Sequence, residues 1–183
     1  MTGSGGIGIY QENGTDITYT GKLDIKGTST AADQGIGVYT KAGSQFNLAS
    51  GGDIKIGGTN NIGFYVESGG ILNVTGGTVT NTEDGIFAYL EGGSMTFTGG
   101  GTNINYANVI VASGGSLVNQ TTIATGKTGL QATGESSLLV PSTILNDTGG
   151  IINSSTLNAV AMTGLDKAYI ENKGKINLNG DGS

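Results

Sequence analysis

The residues best suited to interaction chemistry are four tyrosines that occupy one repeating position. Each follows an Ile-x-x sequence, and their spacings are 29, 26 and 24 residues: Tyr10, Tyr39, Tyr65 and Tyr89. If each repeat is one coil of a stacked structure, the four rings form one column, because parallel strands lie about 4.8 Å apart. With the Ile and the residue two later facing inward, Tyr would face outward, together with the intervening Gly8, Gly37 and Gly63.

Two interpretations of this column remain open. The rings can form an exposed stripe that stacks on sugar rings or anchors a protein partner, since Tyr is enriched at interfaces. They can also form a ladder at a corner, partly inside the protein, that stabilises the stacking of the coils. The sequence favours the ladder slightly, and the four tyrosines are our candidate partner-binding stripe.

Carboxylates are the other candidates for chemistry. Asp33, Glu83 and Asp84 precede predicted strand starts, and a pair of carboxylates is the minimum for glycoside hydrolysis. Carboxylate oxygens also bind calcium, which could bridge Asp33 and Asp84. All three residues precede Gly or an apolar strand, and no repeated Asp/Gly calcium motif occurs, so we interpret them as turn residues.

The composition excludes several classes of function. The chain has no His, Arg or Cys, and its eight Lys against fourteen Asp and Glu give a net charge of −6. His-dependent nucleophilic catalysis is therefore excluded, and a polysaccharide lyase lacks its usual base because Arg is absent and the lysines are scattered. An acidic chain without Arg also lacks the phosphate-neutralising surface of a nucleic-acid binder. We expect no enzymatic activity, no metal and no cofactor.

A repeat organises the chain. Residues 61–100 contain the same phrase twice: Ile-x-x-Tyr, a Gly pair, an alternating run and another Gly pair. Earlier versions begin at Ile7 and Ile36, and weaker ones continue to the C-terminus. The 36 glycines would suit a disordered linker, but they separate apolar runs in a chain that is 36% hydrophobic. Self-similarity at this period predicts a solenoid, because one repeat cannot bury its apolar face alone.

Each repeat contains three short runs in which apolar residues alternate with polar ones, as in Leu23/Ile25 and Ile54/Ile56. Such alternation indicates strands, and no run has helical spacing. We therefore predict an all-β parallel β-helix with three strands per coil and about six to seven coils, forming one continuous domain over residues 1–183. Gly at the corners supplies positive φ.

Charged residues give the register of the first coils. Lys22 precedes Asp53 by 31 residues, and Asp24 precedes Lys55 by the same interval. Stacked coils would bring these opposite charges together, and each pair would stabilise the fold by about 0.2–1 kcal/mol. A second predicted column contains Glu12, Lys41, Glu67 and Glu91. In it, Glu67 lies beside Glu91, and the sequence offers no reason for that like-charged contact.

The stretches IGVYTKAGSQFNL, NIGFYVESGGILNVTGG and DGIFAYLEGGSMTFTGG resemble passenger domains of large type V autotransporters, most closely the fusobacterial outer-membrane adhesins. The resemblance covers about residues 6–126 well and the remainder loosely. It implies a secreted β-helix displayed on the bacterial surface and held by a C-terminal outer-membrane barrel. Its partners would be a host-cell protein or glycan, or another bacterial surface.

The chain begins and ends inside the repeat pattern, so we expect it to be a segment of a longer passenger domain. The expected function is that of a non-enzymatic adhesin segment, or of a stalk that holds a distal binding site away from the membrane. The alternative is a segment of a polysaccharide-degrading or phage-tail β-helix enzyme.

Overall fold

The computed structural model describes residues 5–26, 34–81, 85–99, 103–105, 107–154, 159–164 and 166–179. These residues form twenty β-strands and no helix, and all strand pairs are parallel. The predicted all-β solenoid with three strands per coil is confirmed. Because the strands have only three to six residues each, apart from one of twelve, a single coil has little interior and depends on its neighbours.

Three parallel sheets surround the core. The first strand of each coil belongs to sheet 1: β1 (Ile7–Gln11), β4 (Ile36–Thr40), β7 (Ile62–Glu67), β10 (Ile86–Glu91), β13 (Ala107–Ala112), the C-terminal part of β15 (Thr122–Thr133) and β18 (Val160–Thr163). The chain thus completes six turns between β1 and β18.

The second strand of each coil belongs to sheet 2: β2 (Asp16–Tyr19), β5 (Gln45–Leu48), β8 (Ile71–Val74), β11 (Ser94–Phe97), β14 (Ser116–Asn119), β16 (Ser142–Asn146) and β19 (Ala168–Asn172). The third strands form sheet 3: β3 (Lys22–Ile25), β6 (Asp53–Ile56), β9 (Thr78–Asn81) and β12 (Asn103–Asn105). The N-terminal part of β15 continues the third position and pairs with β17 (Ile151–Ser154), which pairs with β20 (Lys175–Leu178).

The core is a column of apolar side chains along the solenoid axis. Four phenylalanines are completely or almost completely buried and meet ring to ring at centroid distances of 5.6–5.9 Å: Phe46, Phe64, Phe87 and Phe97. Burying each ring contributes about 1.5–3 kcal/mol, and tilted contacts at these distances are favourable for aromatic pairs. Stacking therefore buries apolar side chains of neighbouring coils against one another, whereas a single coil would leave them exposed to solvent.

The predicted register of the first coils is confirmed. In the register of β3 and β6, Lys22 lies beside Asp53 and Asp24 lies beside Lys55. The carboxylate of Asp24 forms its salt bridge with the ammonium of Lys26, at 2.9 Å. Glycine occupies the corner that follows sheet 1 in successive coils. Gly43 and Gly69 have φ of 75° and 79° there, a conformation that side chains with a Cβ rarely adopt.

Candidate functional site: the tyrosine stripe

The tyrosine stripe (Tyr10, Tyr39, Tyr65 and Tyr89) lies on the outer face of sheet 1. Strand pairing places the four residues directly beside one another in successive coils. In β4, Val38 and Thr40 are buried while Tyr39 between them is half-buried, so the ring points away from the core. The rings therefore lie within strands and outside the core, and not at a corner.

Neighbouring rings of the stripe stack on one another. Centroid distances are 5.4 Å for Tyr10–Tyr39, 4.9 Å for Tyr39–Tyr65 and 5.4 Å for Tyr65–Tyr89, with interplanar angles of 29°, 9° and 15°. Such contacts contribute about 0.5–1.5 kcal/mol each beyond the area they bury. Because each ring face covers the next, the stripe presents ring edges to solvent along most of its length. Tyr10 is the most open of the four, with 49% of its surface exposed.

The tyrosine hydroxyls bond to the glutamates beside them. Tyr39 donates to the carboxylate of Glu67 in the next coil, and Tyr65 donates to Glu91 in the coil after that. Tyr10 donates to Glu12 of its own coil at 3.2 Å. Glu67 and Glu91 are neighbours in register, and these bonds account for their proximity, since each negative charge accepts a hydrogen bond from the coil before it.

This environment raises the pKa of the Tyr39, Tyr65 and Tyr89 hydroxyls. Partial burial raises the pKa of Tyr39 well above its usual range, and the hydrogen bond to Glu67 and that carboxylate's charge raise it further. Partial burial and Glu91 raise the pKa of Tyr65 in the same way. These three hydroxyls are therefore neutral near pH 7.

A lysine lies at the N-terminal end of the stripe. The Lys41 ammonium lies 5.7 Å from the centre of the Tyr10 ring, within reach of a cation–π contact. Its pKa is raised, chiefly by the Tyr10 side chain and to a lesser extent by the Glu67 carboxylate. Lys41 thus separates Glu12 from Glu67, as the sequence predicted for that column.

The prediction that the glycines before the tyrosines face outward is wrong for Gly37 and Gly63, which are buried, whereas Gly8 in the first coil is exposed. A Cβ on Gly37 would lie 2.5 Å from Cδ1 of the core residue Ile25, and a Cβ on Gly63 would collide with Ile56. A Cβ on Gly8 would meet Leu23. Two consecutive buried residues, such as Gly37 and Val38, precede Tyr39, Tyr65 and Tyr89, so the alternation breaks just before each of these three tyrosines. Glycine is required at positions 37 and 63 because the third strand of the preceding coil fills that space.

The candidate carboxylates Asp33, Glu83 and Asp84 lie outside the described residues. Within the described part of the chain, no group of three or more Asp or Glu side chains is close enough to hold a metal ion. Asp147 is an isolated case of a lowered carboxyl pKa, caused mainly by hydrogen bonds from Gln120 and the Thr148 amide. These hydrogen bonds hold the corner between β16 and β17.

Sequence analysis missed a groove on the outer face of sheet 3. It has a volume of about 450 Å³ and is lined by Ser50, Asp53, Lys55, Thr78 and Thr80 together with corner glycines. In the sequence, the Lys22/Asp53 and Asp24/Lys55 pattern indicates that charged side chains line the outer face of this sheet, but it does not indicate a groove.

Comparison of the chain with protein-family models, with curated proteins and with solved structures finds no match. Among the described residues, no helix has the length and apolar character needed to cross a membrane.

Proposed function

We propose that this chain is a non-enzymatic adhesin segment displayed on a bacterial surface, where it attaches to host cells or to other bacteria. The observation that carries the proposal is the tyrosine stripe, a continuous, partly exposed aromatic column on a rigid scaffold. Tyr is enriched at the centres of interfaces, because its ring buries much area at low entropic cost.

The scaffold suits attachment because its features run parallel to the solenoid axis. Stacked coils repeat the same outward position at about 4.8 Å intervals, so a partner can contact several coils at once. Contacts to ring edges and to the glutamates beside them are individually weak. Attachment would then depend on many copies acting together on one cell.

The test uses beads coated with the purified chain and measures their adherence to epithelial cells and to bacteria. The informative variant replaces Tyr39, Tyr65 and Tyr89 by Ser, and the matched control replaces Tyr169, a tyrosine 58% exposed on sheet 2. Melting temperatures are measured first, because the triple variant loses three stacked contacts, and adherence is compared below the lowest midpoint.

We expect the triple variant to lose tenfold or more in adherence, corresponding to loss of interface anchors, while Tyr169→Ser adheres like the native chain. Equal adherence of both variants would show that the stripe is not the contact surface. Failure of the native chain to adhere to any cell would contradict the adhesin function and leave a stalk.

A further inference from the structure

The groove on sheet 3 arises from a difference in corner length between adjacent coils. The corner between sheets 2 and 3 has two residues after β2, four after β5 and three after β8. The longer corner places Ser50 and Gly51 beyond the others as a wall beside the outer faces of β6 and β9. Gly77 lets the next corner pack directly beneath, since a Cβ there would lie 2.7 Å from the Gly52 carbonyl oxygen.

The floor of the groove is a rectangle of four polar side chains. Asp53 pairs in register with Thr78, and Lys55 pairs with Thr80. Residues two apart on one strand are separated by about 6.6 Å, and neighbouring strands by about 4.8 Å. Asp53 supplies acceptors, Lys55 supplies donors, and each threonine hydroxyl supplies both.

These side chains are available to a ligand. Of the described residues, none pairs with the side chains of Asp53, Lys55, Thr78 or Thr80 by a hydrogen bond or an ion pair. The inward neighbours Ile54, Ile56 and Val79 are fully buried, so the backbone under the floor is fixed by the core. The groove therefore offers unpartnered donors and acceptors on a backbone that is already ordered, so binding would require ordering of side chains only.

We propose that this groove binds a neutral glycan. Each hydroxyl of a sugar can both donate and accept a hydrogen bond. The floor of the groove matches this chemistry, because β6 offers the acceptor Asp53 and the donor Lys55, and β9 offers the hydroxyls of Thr78 and Thr80. The repeat length of a linear hexose chain is close to the strand spacing of about 4.8 Å, so a chain parallel to the solenoid axis meets a new coil with each sugar.

Charge selects a neutral glycan over an anionic one. Asp53 and Lys55 cancel each other in the groove, and the whole chain carries −6, which repels polyanions during approach. The inference deepens the proposed function and rests on it for its biological role, since the glycan would belong to the attached cell. The binding itself does not depend on the tyrosine stripe.

The experiment presents the purified chain, multimerised through an N-terminal tag, to an array of neutral and anionic oligosaccharides. The strongest neutral hexasaccharide is then titrated by NMR. The test variant is Thr78→Ala with Thr80→Ala, and Thr78→Ser with Thr80→Ser restores the hydroxyls. The matched control is Thr96→Ala with Thr143→Ala, two half-buried threonines on the outer face of sheet 2.

We expect binding of neutral glycans, a loss of roughly tenfold in affinity for the alanine pair, recovery in the serine pair and no change in the control. Circular dichroism verifies that each variant remains folded. Binding of anionic glycans alone, equal binding by the alanine pair and the control, or no binding to the array would overturn the groove. Cell adherence without glycan binding would overturn the groove as a glycan site but would leave the proposed adhesin function intact. Glycan binding through the groove without cell adherence would support the groove as a glycan site and contradict the proposed adhesin function.

Discussion

The hydroxyl groups of Tyr39 and Tyr65 each bond a glutamate of the following coil, and this cross-coil bond gives one residue type two roles. The rings stack, and the hydroxyls hold carboxylates that would otherwise repel one another. Both effects favour one register, because a shift of one residue would place the tyrosines against the core. At this scale the stripe is a structural device that also remains at the surface.

The first prediction follows from the raised pKa of these hydroxyls. A tyrosine in the unfolded chain titrates near pH 10, whereas Tyr39 and Tyr65 hold their protons to higher pH in the folded protein. The folded state then binds more protons, so the stability that these two tyrosines contribute is fully present below about pH 9 and is lost as pH rises above about 10.

Urea denaturation between pH 8 and pH 11 measures this dependence. The double variant Tyr39→Phe with Tyr65→Phe keeps the rings and removes the hydroxyls, so its stability should fall less steeply above pH 10. Parallel curves for the native chain and this variant would show that the Tyr39 and Tyr65 hydroxyls do not cause the loss.

The orientation of the tyrosines was predictable from sequence, and that of the glycines was not. Period-two alternation around Tyr39 correctly places Val38 and Thr40 inside. It fails at Gly37 because a second buried residue precedes Val38. Phe87, which is fully buried, takes the place in β10 that Gly63 takes in β7. An apolar residue aligned with glycine was the signal that this position faces the core.

At the scale of strands, sheet 2 changes its interior chemistry along the axis. Its last inward position is Leu48, Val74 and Phe97 in coils two to four and then becomes asparagine. Asn119 donates to the Oδ1 of Asn146 at 2.8 Å, and Asn146 donates to Asn172 at 2.7 Å. Because a buried amide without partners is costly, the buried side chains of Asn119 and Asn146 depend on the hydrogen bonds of this asparagine ladder.

The second prediction concerns that ladder. Asn146 is 2% exposed, and Asn146→Ala leaves Asn119 without its acceptor and Asn172 without its donor, so we expect a loss of about 1–3 kcal/mol in unfolding free energy. Asn73→Ala is the control, because Asn73 forms a similar bond with Asn47 at 2.9 Å on the half-exposed outer face. Its loss should stay below about 1 kcal/mol. Equal losses in urea denaturation would contradict the ladder's role.

Strand number and early register were accessible to sequence reasoning because the glycine corners and the paired charges repeat. The twelve-residue strand β15 was not accessible. It joins the third strand of one coil to the first strand of the next and runs through Gly126 and Gly129, although glycines were expected at corners. Glycine permits both a turn and an extended backbone, so its presence alone cannot distinguish them. The groove was missed for a related reason, since it depends on corner lengths and not on any motif.

At the scale of the whole molecule, the middle coils and the C-terminal coil differ in burial. In β5, β8 and β11 the inward residues are essentially fully buried by coils on both sides. In the last coil the inward Ile176 and Leu178 are 36% and 46% exposed. Stability in a solenoid is approximately a sum of coil and neighbour-interface contributions, so the last coil, with a neighbour on one side among the described residues, should open before the middle coils.

Hydrogen exchange followed by NMR or mass spectrometry tests this third prediction. Amides of β5, β8 and β11 should exchange with protection at least on the order of tenfold greater than amides of β19 and β20, because local opening ranges from nearly free to global unfolding. The Asn119–Asn146–Asn172 ladder crosses the boundary, so Asn146→Ala should lower protection in β19 far more than in β5. Uniform protection throughout would show that the coils unfold as one cooperative unit. The nearest-neighbour account would then be wrong, since the end coil would gain as much from the stack as the coils within it.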